Sequence, residues 1–425
     1  MPLRRFSLLL LALAAARPAA AAPDPDAAAR ALLSSPTFEV ARAALDRDYD
    51  RIVRDLITLT EIPAPPFGEE ARGRAYMRML KDHGLADVEM DAAGNVYGWR
   101  RGSGGGPVIV VSAHLDTVFP AATDVKVRRV GNRLLAPGIG DDTSSLAVLL
   151  GFIRALDAAH ARTKADIIFM GNVGEEGPGD LRGMRHLFGA GPLAGRIACF
   201  ISFEPGGPGR ITNAGVGSRR YQVSFKGPGG HSMGDFGMVN PAYAMADAIT
   251  AFGRLAVPAA PRTTYNIGLL SGGTSVNSIP FEVAMTVDMR SEGAAELKAL
   301  DERFLALLPA AVARENKARS TAKGAITVET KLVGDRPVGI TPPDRRIVRI
   351  ATAVAVASGF RPKLGASSTD SNIPMSKGIE AVTLGSGFST FRAHSLEEGL
   401  TLDRANDVKR MAAGLATVLL LAEPQ

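Results

Sequence analysis

PVIVVSA at residues 107–113 is the first of four short apolar runs; the others are ADIIFMGN at 165–172, IACFISF at 197–203 and AVTL at 381–384. Each is nearly continuous and rich in β-branched residues, as expected of strands buried on both faces of a parallel sheet. Helical patterns lie between them. Across Ser144–Ala158, the residues Leu146, Leu149, Leu150, Ile153 and Leu156 fall on one stripe. This alternation predicts an α/β domain with a mainly parallel sheet and helices on both faces.

The middle of the chain has a different texture. Tyr221–Lys226 (YQVSFK) and Phe281–Asp288 (FEVAMTVD) alternate apolar with polar, as half-exposed antiparallel strands do. Helical stretches at about Pro241–Leu255 and Ala294–Arg314 accompany them. Residues 216–338 therefore read as a smaller α+β domain inserted between 23–215 and 339–425. Gly215, Val216 and Gly217 form one hinge, and the Pro-containing stretch Asp335–Asp344 the other.

Composition narrows the function. The chain has 425 residues and 46% hydrophobic content, which excludes disorder, and its single Cys199 excludes a disulfide scaffold. Cys199 sits inside an apolar run and reads as a small buried hydrophobe. Of the net charge of +6, three charges (Arg4, Arg5 and Arg17) lie in the first 17 residues. The remainder is too sparse for a nucleic-acid footprint, and one Trp and six Tyr offer little base stacking. Residues 1–22 read as an export signal: a basic start at Arg4 and Arg5, an apolar stretch from Phe6 to Ala16, and small residues up to Ala22, with Ala21 the preferred last residue. About 11 apolar residues are too few to span a bilayer that needs about 20. The expected location is periplasmic or secreted, with no stable membrane insertion.

Polar residues follow each apolar run. His114 and Asp116 come after the first, Glu175 and Glu176 after the second, Glu204 after the third, and His394 after the fourth and a Gly-rich loop. Ligands of open α/β sheets bind at the carboxyl ends of the strands, so this placement predicts a metal site. Taken singly, each has a plainer explanation. Asp141 and Asp142 precede the Ser144 helix, where acids favour the helix dipole. Glu175 and Glu176 fit a solvated acidic loop, and His231 an exposed turn. Glu204 is harder to dismiss, because an acid directly after an apolar run must be solvated or paired. His83, His160 and His186 lie in charged helical surroundings and read as surface residues.

Together these motifs resemble the dinuclear-zinc exopeptidase and amidohydrolase family, which includes glutamate carboxypeptidase, peptidase T, aminoacylase and acetylornithine deacetylase. The resemblance runs from Glu61 to Ser395 and rests on SAHLDTV (112–118), GIGDD (138–142), GEEG (174–177), SFEP (202–205), GPGGH (227–231) and AHS (393–395). It implies two zinc ions bridged by Asp141, one completed by His114 and Glu204, the other by Glu176 and His394. Asp116 is implied as the partner of His114, Glu175 as the general base, and a cis peptide is implied after Asp141. The inserted domain is implied to be a lid that mediates homodimerisation, with His231 reaching the partner's site and Asn277 contacting substrate.

The chemistry is coherent on its own terms. Carboxylates and imidazoles suit zinc, although cobalt or manganese could occupy an oxygen-rich site. A glutamate beside a ligand can move the water proton, and His231 is the candidate oxyanion donor. Arg290 and Arg336 suit a substrate carboxylate, although a structural ion pair explains either equally well. The loop Ser368–Asn372 reads as either a site loop or a capped turn. Thr143 stands where many relatives carry Lys, and Phe388–Ala393 is bulkier than the expected glycine-rich loop. The expected function is a zinc metallopeptidase cleaving a terminal bond of short peptides. The alternatives are an N-acyl-amino-acid deacylase and a catalytically silent periplasmic ligand-binding protein.

Overall fold

The computed structural model describes residues 24–104 and 106–425, so the segment read as an export signal lies outside the described residues. All four apolar runs form strands: Val108–His114, Asp166–Asn172, Ile197–Glu204 and Glu380–Gly385. They stand side by side and parallel, in the order Asp166–Asn172, Val108–His114, Ile197–Glu204, Glu380–Gly385. Their alternation splits the core in two. Ile109, Val111, Ile167, Phe169, Ile201 and Val382 enter one apolar cluster, while Val110, Ile168, Phe200 and Ala381 enter a second on the opposite face. Cys199 is buried in the first.

The sheet is parallel only at this centre. Val96–Arg100 and Ala86–Met90 extend one side antiparallel. On the other side Arg210–Gly215 runs antiparallel to Glu380–Gly385 and also pairs with Gly339–Ile340 and Lys363–Ser367. The flanking strands are short, and Ala86–Met90 and Lys363–Ser367 are partly exposed along their whole length, so they lacked the continuous apolar signature of the centre.

Helices cover the two faces unequally. Thr143–Ala158, Arg346–Ala357 and Arg404–Leu421 line the first face, and the N-terminal helices Pro36–Arg47 and Tyr49–Thr60 pack outside Thr143–Ala158. Helix Thr143–Ala158 is therefore buried on nearly every side rather than along one stripe. Gly151 permits that approach: a Cβ there would lie 2.7 Å from Ile52 Cδ1. Among the described residues, the second face carries the short helices Arg182–Leu187 and Asn372–Ser376.

The chain leaves the large sheet after Gly215 and returns to it at Gly339. In between, four antiparallel strands pair in the order Thr263–Gly272, Glu282–Ser291, Gly217–Lys226, Thr327–Arg336. Helices Pro241–Phe252 and Ala294–Ala318 cover one face of this lid sheet around their own apolar cluster, which includes Val223, Met285, Val287, Phe252 and Phe304. Strict alternation along Glu282–Ser291 sends Met285, Val287 and Met289 into that cluster and leaves Asp288 and Arg290 on the other face. Among the described residues, no helix is long and apolar enough to cross a membrane.

Candidate metal centre

Parallel register brings the strand ends to one edge. His114 lies opposite Asn172, and Glu204 opposite Gly385. Beyond that edge lies one cleft of about 660 Å³, lined by Asp141, Glu175, Glu176, Glu204 and His394 among others, while His114 and Asp116 are buried. Gly174 makes one of the turns at this edge at φ +72°, where a Cβ would also collide with Arg182.

Asp141 stands at the centre. Its Oδ1 lies 2.9 Å from His114 Nε2, and its Oδ2 lies 3.2 Å from His394 Nε2. His394 Nε2 is also 3.0 Å from Glu176 Oε1, and His114 Nε2 is 4.0 Å from Glu204 Oε2. The peptide bond between Asp141 and Asp142 is cis. Three sets of ligand atoms lie close enough to share a cation: His114 with Glu175 and Glu176, His114 with Asp142 and Glu204, and Asp141 with Glu176 and His394.

The acids around Asp141 do different work from that implied by local spacing. Asp116 presents its backbone oxygen to His114 Nδ1 at 2.9 Å, while its carboxylate stands 3.7 Å away. That carboxylate also accepts the backbone N–H groups of Glu175 and Glu176, at 3.0 and 2.8 Å. Asp142 makes no helix cap. Its Oδ2 accepts the N–H of His114 at 3.0 Å, and its Oδ1 is buried without a hydrogen-bond partner.

Electrostatics in the protein alone are those of a crowded acid cluster. Burial pushes Glu175 up to about 8 against the pull of Arg336, with the neighbouring charge of Glu176 adding to the rise. Burial and the Asp142 charge hold Glu204 well above the carboxylate range. His394, bonded to Asp141 and Glu176, is pushed up to about 10. Burial opposes charge on Asp141 as well, but its bonds to His114 and His394 outweigh it and lower its pKa. So many buried carboxylates with only two imidazoles, no thiolate and an orphaned Asp142 oxygen form an oxygen-rich donor set that fits divalent cations.

The remaining candidates scatter. Arg290 lines the cleft and donates to Asp288 Oδ2 at 2.7 Å, while Arg220, which sequence reading had not singled out, donates to the other oxygen at 2.9 Å. Arg336 also reaches the cleft but is spent on an ion pair with Glu175 at 3.0 Å. His231 and Asn277 are exposed on the lid and outside the cleft. His231 Nδ1 accepts the N–H groups of Met233 and Gly234. Of the histidines read as surface residues, His160 is exposed. His83 and His186 are half-buried, with His83 Nε2 2.8 Å from Arg154 Nη1 and His186 Nε2 3.8 Å from Asp91.

Both departures from the family pattern leave the cleft clear. Thr143 donates its hydroxyl to Gly138 O at 2.7 Å, closing the turn before Asp141. Phe388 is fully buried against Tyr49, and Ser389–Phe391 forms a strand paired with Gly399–Thr401. From the bulky loop only Ala393 and His394 line the cleft. Ser368 and Thr369 do so too, and Thr369 Oγ1 also caps the turn at Ser371 N–H.

One buried acid, Glu398, escaped the sequence reading, and a second, Asp370, was read only as part of the Ser368–Asn372 loop. Glu398 accepts three backbone N–H groups of the Gly138–Asp141 turn, and Asp370 accepts from Asn172 Nδ2 at 2.7 Å. Their partners lie 198 to 260 positions away in the chain, beyond any local pattern.

Comparison with known proteins follows the same lines. Residues 110–421 match the family described as peptidase family M20/M25/M40. A 268-residue stretch, 56% of this chain, is 29% identical to 56% of a probable carboxypeptidase of Aspergillus clavatus. A 245-residue stretch, 53% of this chain, is 26% identical to 62% of the succinyl-diaminopimelate desuccinylase of Leptothrix cholodnii. The chain thus spans about three-fifths of the length of these curated relatives. The fold is shared with a tripeptidase of Staphylococcus aureus, at a TM-score of 0.72 and 20% identity, covering 88% of this chain and 98% of that one.

Proposed function

Because this chain belongs to peptidase family M20/M25/M40, we propose that it is a metal-dependent hydrolase cleaving a terminal amide bond of short peptides. The observation that carries this reading is the placement of Asp141, one oxygen toward His114 and the other toward His394. His114 and Glu204 would hold one divalent cation and Glu176 and His394 a second, with Asp141 contributing to both. Zinc is the proposed occupant of both, and cobalt and manganese suit the same donors.

Bound there, such cations would supply Lewis acidity, making a nearby water more acidic and polarising the scissile carbonyl. The rest is done by side chains. Glu175, buried in the cleft, takes the proton of the attacking water and returns it to the leaving nitrogen. Asp116 fixes the backbone of Glu175 and Glu176 and so sets where the base points. Arg290, which lines the cleft with Arg220 across Asp288, is proposed to meet a substrate carboxylate. Exposed on the lid, His231 is proposed to complete the site of a second copy in a homodimer, donating to the oxyanion. Export to the periplasm or medium is proposed from residues 1–22.

A second reading, an N-acyl-amino-acid deacylase, is favoured by the similarity to a desuccinylase. Product analysis separates the two. Metal-loaded protein is incubated with di- and tripeptides and N-acyl amino acids, and product masses identify the bond. Glu175→Gln, expected to be slower by at least about 10²-fold with its metals retained, is the blank. Acyl turnover without peptide turnover selects the deacylase. An untouched mixture points instead to a catalytically silent binding protein.

A further inference from the structure

Arg336 is the last residue of a lid strand, paired across the sheet with Ser218, yet its guanidinium is buried in the other domain. Its Nη1 donates to Glu175 Oε1 at 3.0 Å and to Ser368 Oγ at 3.1 Å, and its Nη2 donates to the backbone oxygen of Glu175. Side chain and main chain of one residue are thus held by a single fork.

The loop that follows Asn172 and carries Glu175, together with helix Arg182–Leu187, is stitched to the lid at three further points. Asp335 N–H donates to Asp180 Oδ1 at 3.0 Å, and Arg185 donates to Asp335 O. From the neighbouring lid strand, Arg220 donates to Gly177 O at 3.3 Å. Opposite the lid, Asp116 holds the two N–H groups of the Glu175–Glu176 pair. Glu175 therefore sits between an anchor in the large domain and an anchor that travels with the lid.

We propose that Arg336 is a positioning residue, which orients Glu175 and makes its placement depend on the position of the lid. This rests on the reading of Glu175 as the general base. Recognition of a substrate carboxylate is the competing role, and the structure weighs against it. Both N–H groups of Nη1 and one of Nη2 are already taken by Glu175 and Ser368, so a substrate carboxylate would meet only the Nε edge, which is buried.

The test uses Arg336→Met and Arg336→Lys in the full-length, metal-loaded protein, with folding checked by thermal melting. For Arg336→Met, kcat is expected to fall by at least about 30-fold while KM moves by less than about 3-fold. Arg336→Lys restores part of kcat, and it carries the test if the Met variant does not fold. Since Arg336 acts through Glu175, the double variant Glu175→Gln/Arg336→Met is expected to be no slower than Glu175→Gln alone, within about 3-fold.

Hydrogen exchange needs no substrate. Amides 174–181 are expected to exchange at least about 10-fold faster in Arg336→Met. A rise in KM of about 10-fold or more at unchanged kcat, multiplied losses in the double variant, or unchanged exchange each overturns the proposal. If the wild-type protein hydrolyses nothing, the proposed function fails, and the exchange result still decides whether Arg336 anchors the loop.

Discussion

Removing the carboxylate of Glu398 tests how the turn that presents Asp141 is held. Glu398 is fully buried. Its Oε1 accepts the N–H groups of Gly140 and Asp141, at 2.8 and 2.9 Å, and its Oε2 that of Gly138, at 3.0 Å. In Glu398→Ala all three donors lose their partner. An orphaned buried amide costs about 1–3 kcal/mol, so three of them give a loss of about 3–9 kcal/mol, with water entering the vacated space drawing it toward the lower end. Glu398→Gln keeps an acceptor for two donors but turns an NH2 toward the third, and is expected to cost only about 1–3 kcal/mol. Urea unfolding of both variants measures the difference, and elemental analysis of each gives bound metal per chain. The Ala variant is expected to lose metal as well as stability, because Asp141 N–H is one of the three released donors. Equal unfolding midpoints for wild type, Gln and Ala variants, with metal content unchanged, would refute this account.

The other predictions are brief. Asp141→Ala is expected to lose both metals where Glu175→Gln keeps them, since Asp141 touches both histidines; elemental analysis after dialysis decides. Chelation is expected to lower the melting temperature, because Glu204, Asp142 and Glu175 are left as a buried acid cluster; an unchanged melting curve would count against the cations' structural share. Leu269 and Leu270 stand 67% and 62% exposed on the edge strand Thr263–Gly272. Leu269→Lys/Leu270→Lys is expected to convert a lid-mediated dimer to monomers in light scattering, and an unchanged mass would place the interface elsewhere.

Strand identity was legible in the sequence because it is a local property. PVIVVSA and its three counterparts are apolar at nearly every position, which only burial on both faces rewards, and the polar residue after each run marks the strand end. Alternation in FEVAMTVD likewise announced a one-sided sheet and, with it, the position of Arg290. The flanking strands and the N-terminal helices were missed. Their residues are only partly apolar, and their burial depends on elements far along the chain.

The sequence by itself determined which residue types reach the carboxyl edge of the sheet: His114, Glu175, Glu176, Glu204 and His394 follow from the apolar runs and the turns after them, whereas Asp141 was singled out only by the family resemblance. Only the tertiary structure decided which groups those residues meet. Asp116 holds the backbone of Glu175 and Glu176, 59 and 60 positions away, Arg336 grips Glu175 from 161 positions away, and Glu398 closes on Gly138 across 260. Charge and hydrogen-bonding capacity are written in each side chain, but a buried polar group bonds to whatever donor or acceptor packing brings within reach, and that choice is made when the layers close.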